Sequence, residues 1–116
     1  MGRRGGRVAP PPVPGGWDLR FGDNEAAAGW DDLCARAPGP ARDAWEILTS
    51  DPRRRTHPHR QHRLAGKLGS RVAGGQEFEQ WQDEVTGAGR IWYCVDDERR
   101  RIILVLVTTG HPKQTD

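Results

Sequence analysis

Residues 78–113 read FEQWQDEVTGAGRIWYCVDDERRRIILVLVTTGHPK and contain nearly all of the strand-forming sequence of the 116-residue chain. Residues 101–108 are an almost unbroken apolar run, rich in β-branched side chains, of a length that suits a strand buried on both faces. Residues 90–95 form a second run and residues 78–85 a third. Short polar turns separate the three runs. The stretch therefore predicts a three-stranded antiparallel meander.

Two helices are predicted upstream, at residues 24–37 and 41–50, because apolar positions recur there at helical spacing. The break at Pro38-Gly39-Pro40 makes them an αα-hairpin. A meander cannot bury its apolar side alone, so the hairpin, with Trp30 and Trp45 in its apolar stripes, is expected to cover it.

Residues 17–21 alternate apolar and polar side chains and predict a short first strand. The predicted fold class is therefore α+β. A small antiparallel sheet, made of the C-terminal meander and the short N-terminal strand, packs against the helical hairpin. Residues 1–16 are Gly, Pro and Arg with almost nothing to bury, and they are interpreted as a disordered tail whose deletion leaves stability unchanged. Residues 17–113 are expected to form the domain and residues 114–116 a C-terminal tail.

A basic segment connects the hairpin to the meander. Residues 53–71 contain seven cationic side chains and no acid, which is an electrostatic footprint for phosphate; the alternative is a solvated loop. The seven are Arg53, Arg54, Arg55, Arg60, Arg63, Lys67 and Arg71. Three histidines in the segment match no standard zinc spacing, so we expect neither a metal nor another cofactor.

The remaining composition bears on the compartment. Cys34 and Cys94 are the only cysteines, too few for a disulfide framework, which favours a reducing compartment. No apolar run reaches the length of a membrane span, and the N-terminus has no apolar core of a secretory signal. A cytoplasmic location without membrane contact is the expectation.

An ordered set of short motifs resembles the RelE/ParE toxin superfamily of bacterial type II toxin–antitoxin systems. The set comprises residues 64–68 (LAGKL), Arg90 with Tyr93 in one strand, the acidic turn Asp96-Asp97, and Gly110-His111 after the last strand. The resemblance covers residues 17–113. Members of this superfamily are small α+β proteins that bind RNA on the ribosome or, in other branches, target DNA gyrase.

This resemblance implies a RelE-like toxin, an mRNA endoribonuclease that works on the ribosome without a metal and is neutralised by an antitoxin protein. Two alternatives stay open. One is a non-catalytic module of the same fold that binds RNA or protein, and the other is a gyrase-targeting toxin of the ParE type. Asp83 and Glu84 stand where many ribosome-dependent members carry arginines, and this departure favours the non-catalytic module.

Metal-free RNA cleavage needs a base for the 2′-hydroxyl, cations for the phosphate and an acid for the leaving oxygen. There are four catalytic candidates. The resemblance points to Arg90 and Lys113 as cations and to His111 as the acid, and Glu84 is the candidate base. The RNA-binding candidates are Arg60, Arg63, Lys67 and Arg71. The structural alternative is that Arg90 pairs with Glu84 across the turn and that His111 is a surface histidine.

Overall fold

The computed structural model describes residues 2–110 of the chain. It is an α+β fold with two helices and six strands, as expected in its class. The elements are β1 (Asp18–Phe21), α1 (Asn24–Arg36), α2 (Pro38–Ser50), β2 (Gln61–Arg63), β3 (Ser70–Ala73), β4 (Gln76–Glu84), β5 (Arg90–Asp96) and β6 (Arg101–Thr108). A single turn of 3-10 helix, Gly66–Gly69, precedes β3.

All six strands belong to one sheet, in the order β1-β6-β5-β4-β2, with β3 also paired to β4. The predicted meander is confirmed, since β4, β5 and β6 pair antiparallel in succession. The expectation of a purely antiparallel sheet is wrong, because β1 runs parallel to β6. A parallel pair needs a long connection, and the helical hairpin with the other strands supplies it. The basic segment also contributes β2 and β3, which the sequence pattern did not predict.

Local interactions determine where each helix begins. The Asp23 carboxylate accepts a hydrogen bond from the Ala26 N–H at 2.7 Å and so caps α1. Helix α2 starts at Pro38, three residues before the predicted boundary. Prolines are tolerated in the first helical turn because the N–H groups they lack have no partner within the helix.

The helices cover one face of the sheet. The core combines Ala26, Trp30 and Leu33 of α1 and Leu48 of α2 with alternate residues of β1, β5 and β6. Trp30 is buried, whereas Trp45 is only partly buried against the same cluster. Helix α1 approaches β6 so closely that a Cβ at Gly29 would overlap the carbonyl of Val107.

The N-terminal segment differs from its expectation as an unpacked tail. The Gly5 N–H donates to Phe21 O and the Val8 N–H to Leu19 O, each at 2.8 Å. The Val8 side chain is 1% exposed and belongs to the core. The outer edge of β1 has unpaired backbone groups, and the segment satisfies part of them. Composition missed this contact because it rests on one valine among glycines, prolines and arginines.

Replacing Val8 with alanine tests this docking. We expect Val8→Ala to lower the free energy of unfolding by about 1–3 kcal/mol, because a buried aliphatic side chain loses two methyl groups. Val13→Ala is the matched control in the same segment, since Val13 is 70% exposed. Denaturant titration of both variants measures the effect. Equal, negligible changes would show that the segment does not pack on the domain.

Candidate functional site

A buried polar contact joins the centre of the sheet to the chain that follows α2. The Tyr93 side chain on β5 is 0% exposed. Its hydroxyl donates to the Pro52 carbonyl at 2.6 Å and accepts from Gln61 Nε2 at 3.0 Å. Burial raises the pKa of Tyr93, so the hydroxyl stays a donor. The start of the basic segment is thereby held against the sheet.

Removing this hydroxyl gives a direct stability test. We expect Tyr93→Phe to cost about 1–3 kcal/mol of unfolding free energy, because both buried hydrogen bonds of the hydroxyl are lost. Gln61 Nε2 still donates to the Pro52 carbonyl at 3.0 Å in this variant, so neither group is left without a partner. Equilibrium denaturation is the measurement. A loss below ~0.5 kcal/mol would mean that water reaches these groups in the native state.

The anchored segment, α2 and the end of β4 enclose a cleft of about 540 Å³. Its first wall is acidic at the exposed Asp43 and Glu46 of α2. Its second wall carries three basic groups of the segment: Arg54, His57 and Arg60. The remaining lining residues are Pro40, Ala44, Ile47, Asp83, Glu84 and Val85. The cleft is therefore polarised, with opposite charges on its two walls.

Asp83 forms the floor of the cleft. It is 4% exposed and lies opposite Ile91 and Gln61 in the sheet, so it faces the helix side. Among the described residues, none donates a hydrogen bond to its carboxylate or pairs with it within 4.0 Å. Burial raises the pKa of Asp83 to about 6, although the nearby guanidinium groups of Arg54 and Arg60 oppose the rise. The carboxyl group therefore titrates close to neutral pH.

Asp83 should make stability depend on pH. Its folded pKa of about 6 lies above the ordinary 3.8. Stability is therefore lost as the pH rises from about 4 to above 6, by roughly 2–3 kcal/mol when ionisation is complete. We expect Asp83→Asn to be more stable than the native chain at pH 8 by about this amount, with the difference gone by about pH 4. The exposed Asp43→Asn is the control and should follow the native curve. Identical curves for all three proteins would contradict the assignment.

The other face of the same strand end carries a different pair. Glu84 and Arg90 are register partners across the β4–β5 turn, with Oε2 and Nη2 at 3.4 Å. Arg90 Nη1 also donates to the Gly89 carbonyl at 3.0 Å and lies near those of Thr86 and Gly87. The structural alternative for Arg90 is therefore the arrangement observed. This guanidinium is already engaged by the turn.

The remaining catalytic candidates, His111 and Lys113, lie outside the described residues. Gly110, the last described residue, packs so closely on Ala88 of the β4–β5 turn that a Cβ there would overlap it. The described chain thus ends beside the turn that carries Glu84 and Arg90.

The four RNA-binding candidates do not form one patch. Arg60 lies at the cleft and donates to the Glu84 carbonyl at 3.1 Å. Arg63 is opposite Trp81 on the helix side and donates to the Gly69 carbonyl at 2.9 Å. Lys67 is exposed in the 3-10 turn. Arg71 is opposite Phe78, which lies roughly 20 Å along β4 from Glu84 at the rise of an extended strand.

Sequence reasoning missed the role of Asp83 and Gln61. A signal for Asp83 was present, since strand alternation puts it on the same face as Trp81 and Val85. A carboxylate on a core-facing position is unusual unless it is paired or functional. Arg53 was counted among the cations for phosphate, but it forms ion pairs within the domain. It pairs with Asp97 at 2.8 Å and with Glu79 at 3.1 Å and thereby holds the segment to the sheet.

No protein-family model matches the chain, and no curated protein matches it with significant sequence similarity. Within residues 2–110, no cluster of three or more His, Cys, Asp or Glu side chains is arranged to hold a metal ion. Neither described helix has the length and apolar character needed to cross a membrane.

Proposed function

We propose that this chain is a RelE-like toxin that cleaves mRNA on the ribosome and is neutralised by an antitoxin protein. The observation that carries the proposal is the Glu84–Arg90 pair at 3.4 Å, beside the point where the chain leads into Gly110-His111. This is the place in the fold where the resemblance puts the catalytic groups. The mixed sheet backed by two helices agrees with the α+β class that the resemblance implies.

The face of the sheet away from the helices is the surface on which the RNA would lie. Gln82, Glu84, Arg90, Trp92 and Leu106 share it by register and are half-buried to exposed. Trp92 offers a ring on which a base can stack. Arg71 lies on the same face but far along β4, so it would contact a different part of the RNA from Arg90.

In the proposed reaction, the Glu84 carboxylate takes the proton of the 2′-hydroxyl as the 2′-oxygen forms a bond to phosphorus and the bond from phosphorus to the 5′-oxygen breaks. Arg90 stabilises the charge that develops on the phosphate, and His111 protonates the leaving 5′-oxygen. Lys113 and Lys67 supply further positive charge. The Arg90 guanidinium must exchange turn carbonyls for phosphate oxygens during this step, because it donates to those carbonyls in the free protein.

A non-catalytic RNA-binding module is the second candidate, and the donation of Arg90 Nη1 to the Gly89 carbonyl of the turn at 3.0 Å favours it. In that case Arg90 holds the turn, and the basic segment alone meets phosphates.

Mapping of cut sites in ribosome-bound mRNA after induced expression separates the two. The toxin proposal expects growth arrest and new 5′ ends in coding regions. His111→Ala and Glu84→Gln should each lower cleavage by about 10²-fold or more while leaving RNA affinity nearly unchanged, because they remove proton transfer and not a phosphate contact. Glu77→Gln, at an exposed position of β4, is the control for the charge change.

Cleavage that survives both substitutions would place the acid and base elsewhere. RNA binding without any new 5′ end in the native protein would support the non-catalytic module.

A further inference from the structure

We propose that the cleft above Asp83 is a binding site for a guanine nucleotide. The cleft of about 540 Å³ falls within the range of small-molecule sites and has room for one nucleotide. Glu84, at the end of β4, lines the cleft and also pairs with Arg90. A nucleotide of an RNA chain on the outer face can therefore enter it.

The floor of the cleft selects the base. Asp83 is 4% exposed, and no hydrogen bond from another described residue satisfies its carboxylate. A buried carboxylate needs donors, and an ionised one has acceptors only. The Watson–Crick edge of guanine presents two adjacent donors, N1–H and the N2 amino group. Adenine and cytosine each present one donor beside an acceptor, and uracil presents one donor between two acceptors. Guanine is therefore the base that matches Asp83.

The walls fix the orientation of the nucleotide. Arg54, His57 and Arg60 lie on one side of the cleft. Arg54 Nε donates to Gln61 Oε1, and one Nη of Arg60 donates to the Glu84 carbonyl. Both guanidinium groups keep further N–H donors for a phosphate. The acidic wall of Asp43 and Glu46 repels phosphate from the opposite side. A guanine on Asp83 thus directs its phosphate to the basic wall.

The same charges argue against a basic peptide side chain as the occupant. An arginine or lysine placed on Asp83 would lie among the cationic groups of Arg54 and Arg60, which act on that carboxylate electrostatically. A nucleotide matches both ends of the polarised cleft, with its base on Asp83 and its phosphate on the basic wall, whereas a cation on Asp83 leaves the basic wall without a partner.

Calorimetric titration of the full chain with GMP, IMP, AMP and CMP tests the inference. We expect GMP to bind at least tenfold more tightly than each of the others. IMP is the sharpest comparison because it lacks only the N2 amino group, and a site built to bond that donor rejects an analogue without it. Guanosine should bind more weakly than GMP, with the difference shrinking at high salt, if the basic wall holds the phosphate.

Variants tie the binding to the floor. Asp83→Asn should weaken the binding of GMP at least tenfold and abolish the preference for GMP over IMP. The reason is that one carboxylate oxygen, an acceptor, is replaced by an amide N–H₂ group, a donor. Asp31→Asn makes the same charge change at an exposed position of α1 outside the cleft and should retain both the affinity and the preference. Circular dichroism of the same samples checks folding. Arg60→Gln supplies a second probe, because it should weaken the binding of GMP but not that of guanosine.

As a site for RNA this inference rests on the proposed function, whereas binding of the free nucleotide is measured without it. The trinucleotides UGU and UAU separate the sources: UGU binding tighter than GMP points to RNA, and equal binding points to the free nucleotide. If the native protein cleaves mRNA but binds GMP no more tightly than the other nucleotides, the guanine site is overturned and the toxin proposal stands. Three further results would each overturn the guanine site. They are equal affinities for GMP and AMP, unchanged GMP binding by the Asp83→Asn variant, and tighter binding of N-acetylarginine amide than of GMP.

Discussion

The hydrogen bond from the Tyr93 hydroxyl to the Pro52 carbonyl is the contact on which the cleft depends. At 2.6 Å and fully buried, it joins the middle of β5 to the residues that leave α2. Gln61 completes the contact from β2. Because Asp83 lies opposite Gln61 in the sheet, this arrangement sets the position of the basic wall over the floor of the cleft. A segment rich in arginine and histidine, which would otherwise be a solvated loop, becomes part of the domain.

Two adjacent acids at the end of β4 lie on opposite faces of the sheet, because side chains alternate along a strand. Asp83 faces the helices and forms the floor of the cleft, while Glu84 faces outward and pairs with Arg90. Their surroundings differ accordingly. Burial raises the pKa of Asp83, whereas Glu84 has a cationic partner at 3.4 Å. One strand end therefore offers a buried acceptor and an outward carboxylate within two consecutive residues.

Local patterns were sufficient for the meander and the hairpin. The three long strands and two helices begin and end within three residues of their predicted bounds, because apolar periodicity determines which face each buries. Strands β2 and β3 were not predictable in this way. Both are short, each contains an arginine, and β3 lies between Gly69 and Gly74. They exist through pairing with β4. The docking of Val8 is likewise a tertiary effect at a single residue.

The candidate site was predictable only in part. The neighbourhood of Glu84 and Arg90 followed from the turn between them, and the structure has the pair. The separation of Arg63 from Arg71 onto opposite faces did not follow from their sequence proximity, because it depends on how β2 and β3 each pair with β4. The polarised cleft depends on contacts between α2, the basic segment and β4, so no single stretch of sequence contains it.

Hydrogen exchange measured residue by residue by NMR tests most directly whether the basic segment is fixed to the sheet. The backbone N–H groups of Gln61, Leu64 and Glu84 donate to His57, Gln80 and Arg60, at 2.9, 3.0 and 2.6 Å. The account predicts that these amides exchange more than about 10²-fold more slowly than in an unstructured chain. Exchange of all three at unstructured rates, with the amides of β5 and β6 still protected, would show that the segment is a free loop. It would remove the cleft.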